Sequence, residues 1–79
     1  MPGIDPTGPV APYLQLVEIL RERIESGRYQ PGTRIPTESE LVDEFELARS
    51  TVRRAVAVLR KSGLVVTVPQ RGSYVSPRP

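Results

Sequence analysis

Tyr13, Leu16, Val17, Leu20 and Ile24 follow one another in steps of one, three and four, which puts them on one side of an α-helix while Glu18, Arg21, Glu22 and Glu25 face elsewhere. The spacing predicts a first helix from about Tyr13 to Ser26, with Gly27 free to take the left-handed position just past its end. Gln30-Pro31-Gly32-Thr33 carries proline and glycine at the two central positions of a type II turn. The extended pair Arg34-Ile35 after it is expected as a short edge strand.

Thr37-Glu38-Ser39-Glu40 reads as a capping box, the threonine hydroxyl accepting from a first-turn amide and Glu40 reaching back to the cap amide. A short second helix is predicted from there to about Phe45, with Leu41, Val42 and Phe45 as its apolar stripe. A third follows after a tight connection: Val52, Ala55, Val56 and Leu59 share one face, and Arg49, Ser50, Arg53, Ala57 and Arg60 turn outward. It ends at Ser62, before Gly63. The β-branched run Leu64-Val65-Val66-Thr67-Val68 and the alternating Ser73-Tyr74-Val75-Ser76 then read as two strands joined at Pro69-Gln70-Arg71-Gly72, a hairpin with a basic tip.

Three helices followed by a hairpin make an α+β winged helix-turn-helix, with the pair at 34–35 as a possible extra edge. Four of the nine prolines lie in the first twelve residues, and two more in the last three. Proline lacks a backbone donor and restricts its predecessor, so residues 1–12 and 76–79 are expected as disordered or extended tails around a folded body at 13–75.

Composition narrows the chemistry. The 79 residues suffice for one core, and the chain has no cysteine and no histidine. That removes disulfides, thiolate nucleophiles, the commonest metal ligand and the side chain that titrates near neutrality, so neither an enzyme nor a metal or other cofactor is expected. With no long apolar run and no basic and apolar leader at its start, the chain is expected to be soluble and cytoplasmic, with no membrane partner. The net charge of +2 conceals a division: Met1 to Leu47 carries four basic against nine acidic residues, whereas Ala48 to Pro79 carries seven basic and no acidic ones.

A basic block on a mixed scaffold is the footprint of a face that binds a polyanion. A B-DNA major groove about 12 Å wide accepts one helix, and a helix-turn-helix offers its second helix to it, here the third helix of the chain. Arg49 and Arg53, four residues apart, project together near that helix's N-terminus, and no acidic residue within the helix is available to pair with them. The arginine fork matches guanine O6 and N7. Ser50 and Thr51 add hydroxyls for a base edge or phosphate, and Arg71 on the wing tip is placed for a minor groove or the backbone. Arg54, Arg60 and Lys61 suit either phosphate contact or simple solvation and the helix dipole. Tyr13 suits the core, with its hydroxyl left for a phosphate. The acidic first half, with Glu18, Glu22, Glu25, Asp43 and Glu44, supports an alternative reading as a winged-helix protein-interaction module.

Tyr13-Leu14-Gln15-Leu16, Ile24-Glu25-Ser26-Gly27, Pro31-Gly32-Thr33-Arg34-Ile35-Pro36-Thr37-Glu38, Arg49-Ser50-Thr51-Val52-Arg53 and Gly63-Leu64-Val65, in this order, resemble the DNA-binding domain of GntR-family transcriptional regulators. The resemblance covers about Tyr13 to Val75. It implies a winged-helix operator binder, usually dimeric on a short inverted repeat and most often repressing. By it, Arg49, Ser50 and Arg53 meet bases and phosphates, and Gly72 lets the wing approach the duplex; Thr37 and Ser39 at the start of helix two complete the expected set.

The chain departs from the family pattern at four positions. Ser39 stands where an arginine usually contacts phosphate. Glu46 replaces the turn glycine, which implies a strained left-handed residue or a different turn. Ala48 replaces a capping serine or threonine, a loss of about 1 kcal/mol. Gln70 replaces the first wing glycine. Family members also carry a C-terminal metabolite-binding and dimerising domain; no ligand pocket of useful size is expected within these residues, so effector control is expected outside them.

Overall fold

The structure, a computed structural model, describes residues 3–77. The tail expectations for Met1, Pro2, Arg78 and Pro79 lie outside the described residues. The chain forms α1 (Pro12–Glu25), α2 (Glu38–Phe45), α3 (Arg49–Lys61), β1 (Val65–Val68) and β2 (Gly72–Val75) in that order. The strands are antiparallel, with Val65 opposite Val75, Val66 opposite Tyr74, Thr67 opposite Ser73 and Val68 opposite Gly72. Arg34 bridges Tyr74 on the other edge of β2, where Ile35 N–H donates to Ser73 O (2.9 Å) and Val75 N–H to Thr33 O (2.8 Å). The winged helix-turn-helix and its short third edge are therefore both present.

The helix ends follow their local chemistry. Helix α1 starts one residue before the expected Tyr13, because proline at the first position has no N–H to leave unsatisfied and its φ is already helical. The capping box at α2 is complete: Glu40 N–H donates to Thr37 Oγ1 (3.1 Å) and Thr37 N–H to Glu40 Oε1 (2.7 Å). Helix α3 closes with Gly63 at φ 84°, its N–H donating to Arg60 O (3.1 Å) while Leu64 N–H donates to Leu59 O (3.0 Å), so the chain turns directly into β1.

Residues 3–11 differ from the extended or disordered tail expected of them. Asp5 folds the chain on itself, its carboxylate accepting from Thr7 N–H (3.0 Å) and Thr7 Oγ1 (2.9 Å). The Gln15 side chain then acts as a backbone partner: its Oε1 accepts from Asp5 N–H (2.8 Å) and its Nε2 donates to Asp5 O (2.8 Å) and Val10 O (2.6 Å). Ile4 packs against the core. Pro6 and Pro9 reduce the backbone donors needing partners in this segment, and one amide side chain on α1 meets much of what remains.

The core joins Leu16, Val17, Leu20 and Ile24 of α1 to Leu41 and Phe45 of α2 and to Val52, Ala55 and Leu59 of α3, closed beneath by Ile35, Val65 and Val75. Val42 and Val56, expected on the buried faces, are only partly covered. Among the described residues, Arg23 is the one charged residue that is buried. Its guanidinium lies over the Phe45 ring (5.3 Å to the centroid), donates to Tyr29 Oη (2.7 Å) and pairs with Glu44 at 2.6 Å, tying α1 to α2. The hydrogen bond from Arg23 holds the Glu44 carboxyl below its usual 4.5, against the opposing effect of burial.

Two stability predictions follow from these contacts. Arg23→Ala removes charge-assisted hydrogen bonds and a buried aliphatic stem, and is expected to cost about 2 kcal/mol in urea unfolding at pH 7. Because folding lowers the Glu44 pKa, its contribution is complete above the unfolded value and declines as pH falls below 4.5, so the penalty of Arg23→Ala should shrink in acid. Glu46, which closes α2 at φ 55°, occupies the left-handed region that glycine enters without strain. Glu46→Gly is expected to stabilise the fold by about 0.5–1 kcal/mol, read as a raised urea midpoint at unchanged m-value.

Candidate nucleic-acid interface

Burying Val52, Ala55 and Leu59 turns the opposite face of α3 to solvent, and that face carries the arginines. Ala48 enters the helix at φ −62°, ψ 148° with no side-chain cap, so only its carbonyl serves the first turn, accepting from Thr51 N–H (3.0 Å) and Val52 N–H (3.1 Å). Arg49 and Arg53 project together from this turn, their side chains 49% and 67% exposed. Ser50 is exposed beside them, whereas Thr51 is half-buried on the flank facing Pro12 and Tyr13.

Both arginines are paired, contrary to the expectation drawn from α3 alone. Glu38, the first residue of α2, holds Arg49 Nη1 on Oε1 (2.8 Å) and Arg53 Nε on Oε2 (2.7 Å). Ser39 Oγ accepts from Arg49 Nη1 and Nη2, each at 3.3 Å. The partner comes from the neighbouring helix, 11 and 15 residues back in the chain, a separation at which no periodicity signals contact. Hydrogen bonds from Arg49 and then Arg53 keep the Glu38 carboxyl below its usual 4.5, outweighing its partial burial.

The structure also gives Arg54 an unforeseen partner. Its guanidinium carbon sits 3.9 Å from the centre of the Tyr13 ring, so the half-buried tyrosine serves as a platform for a cation as well as packing on the core. Thr37 uses its hydroxyl oxygen in the capping box, with its O–H left as a donor.

Between α3, the segment at 34–38 and the wing lies an open cleft of about 630 Å³. It is an open surface groove, and at its base β1 packs on α3. Among the described residues, the cleft is lined by the four arginines Arg34, Arg53, Arg54 and Arg60, with Glu38 as the only acidic one. Gly72 stands at its edge with φ 117°, and a Cβ there would come within 3.1 Å of Arg34 Cδ. The glycine thus lets the Arg34 stem cross the base of the wing, where Arg34 Nη1 reaches Arg71 O at 3.5 Å. The Arg71 side chain is exposed at the tip, and Gln70 takes the left-handed position at φ 66° in place of a glycine. Arg34, Glu38 and the pairing of Tyr13 with Arg54 were missed in the sequence; the expected edge strand at 34–35 was the one available signal, and it bears on Arg34 alone.

The ion pairs have a direct test. In an NMR titration the Glu38 carboxyl should have its midpoint below 4.5, and Arg49→Ala should raise it toward that value; an unmoved midpoint would show that the pair does not persist in solution.

Similarity to known proteins agrees with this geometry. The family model described as bacterial regulatory proteins, gntR family, matches residues 12–75. The HTH-type transcriptional repressor NagR of Bacillus subtilis (strain 168) is 36% identical over 74 residues, covering 94% of this chain and 30% of the repressor. The arabinose metabolism transcriptional repressor of Geobacillus stearothermophilus is 41% identical over 68 residues, covering 85% of this chain and 19% of that protein. The chain therefore spans less than a third of either relative. Among solved structures, the AraR DNA-binding domain in complex with operator ORE1 superposes with a TM-score of 0.79 at 36% identity, covering 81% of this chain and 78% of that one. A transcriptional antiterminator from Listeria monocytogenes EGD-e has the same fold, with a TM-score of 0.90 at 23% identity over 100% of this chain and 59% of that one. With a family match across α1 to β2 and relatives of this similarity, the chain belongs to the GntR family of bacterial regulatory proteins.

Proposed function

We propose that this chain is a sequence-specific double-stranded DNA-binding domain of a transcriptional regulator, acting most naturally as a repressor. The observation that carries the reading is the solvent-facing side of α3, where Arg49, Ser50, Arg53 and Arg54 stand beside a wing tipped by Arg71. A helix of 13 residues with one apolar and one cationic side has the dimensions to lie in a major groove. The relatives named as repressors and the AraR domain bound to its operator support the same reading.

In this arrangement Arg49, Ser50, Thr51 and Arg53 address base edges and nearby phosphates at the mouth of the groove. Arg54 and Arg71 contact backbone phosphate, Thr37 and Ser39 meet the strand at the start of α2, and Gly72 keeps the wing close to the duplex. Two copies of the chain on an inverted repeat would present two such helices about one helical turn apart. Such a regulator works in the cytoplasm, where its operator is.

Selection of duplexes from a random pool, followed by anisotropy titrations, tests this reading. A consensus with two-fold symmetry is expected. With about four phosphate contacts per copy, log K per bound copy should fall with log salt at a slope near −3.6, and Arg54→Ala or Arg71→Ala should weaken all duplexes evenly and reduce that per-copy slope by about 0.9. Arg53→Ala should instead relax base preference at one position by about 1–3 kcal/mol. A salt-insensitive complex, or selection without a consensus, would contradict the reading.

A further inference from the structure

We propose that Glu38 is a positioning residue for base reading, holding Arg53 by its Nε so that the terminal Nη1 and Nη2 edge is presented to a guanine. This inference rests on the DNA-binding reading above and adds a division of labour between two arginines that the sequence treats as equivalent.

The guanidinium group offers its donors along distinct edges, and Glu38 engages a different edge on each arginine. On Arg53 it takes only Nε, at 2.7 Å, and among the described residues neither Nη1 nor Nη2 has a hydrogen-bond partner. Those two groups form the fork that matches guanine O6 and N7 end-on. On Arg49 the carboxylate takes Nη1 at 2.8 Å, and Ser39 Oγ takes Nη1 and Nη2 at 3.3 Å, so the corresponding edge is already occupied. Arg53 is thus ready to read, whereas Arg49 must first give up its partners or serve as the second anchor of the carboxylate.

Holding Arg53 has a physical purpose. Its side chain is 67% exposed and, untethered, would sample many rotamers that binding must suppress. A carboxylate fixed at the first position of a capped helix removes part of that ordering cost before DNA arrives. Glu38 also repels phosphate, so it opposes binding to every duplex equally. Removing it should therefore move two quantities in opposite directions, which neither a simple counterion nor a packing residue would do.

The test uses duplexes of about 20 base pairs selected by the wild-type chain from a random pool, enough for two adjacent half-sites. Arg53→Lys, which keeps the charge and loses the fork, identifies the guanine that Arg53 reads. At that position E38A is expected to lower the ratio of affinities for G·C over A·T by about fivefold or more, while affinity for a scrambled duplex rises about threefold. E38Q, similar in volume, should move both quantities in the same directions by smaller amounts, because its amide oxygen still accepts one hydrogen bond. A raised affinity for the scrambled duplex with an unchanged ratio would make Glu38 a counterion only and overturn the proposal, as would a parallel fall in both quantities. Failure of Arg53→Lys to affect any guanine, with the wild-type consensus intact, overturns this assignment alone; absence of a wild-type consensus overturns the DNA-binding reading with it.

Discussion

Helix α3 has to satisfy two environments with thirteen residues, and everything else in the molecule serves that division. Val52, Ala55 and Leu59 are fully buried against α1 and α2. Taking those side chains from water supplies the main force that seats the helix, about 25 cal/mol for each Å² of apolar surface covered. Their burial sets the rotation of the helix about its own axis, and the rotation decides which residues face outward. A polar residue at any of the three would unseat the helix and disperse the cationic face together.

Charge is used in two different ways on the two sides of α2. Arg23 of α1 reaches Glu44 of α2, with the guanidinium buried, stacked near Phe45 and bonded to Tyr29. Such a pair specifies how the helices meet, because a buried guanidinium without its carboxylate is costly. Glu38 with Arg49 and Arg53 is open to solvent, where an ion pair contributes little to stability. Its consequence is geometric: it orders long side chains on the surface that faces the cleft.

The departures from the family pattern share a logic. Glu46 and Gln70 adopt positive φ without being glycine, at 55° and 66°. Ala48 leaves α3 without a side-chain cap. Each is a local cost of roughly 1 kcal/mol that the surrounding packing sustains. Ser39, in place of a cationic residue, becomes a hydrogen-bond partner of Arg49 instead. The turn and the wing keep their shape despite these changes because the core residues on either side, Phe45, Val52, Val65 and Val75, are all buried.

Local chemistry alone determined most of the architecture: the steps of three and four in α1 and α3, the Thr37–Glu40 capping box, Pro31-Gly32 at the turn and the β-branched run of β1 are properties of residues near one another in the chain. It also located the basic outer face of α3 and the exposed arginine of the wing. It did not reveal the docking of residues 3–11 on Gln15, the burial of Arg23, the Tyr13 platform under Arg54, the cleft beside the wing or the sharing of Glu38 between two arginines. Those depend on the angles at which α1, α2 and the wing meet α3, and such angles arise from packing among residues distant in sequence. Periodicity shows which side of a helix faces the core; only the assembled fold decides which neighbour stands opposite the other side.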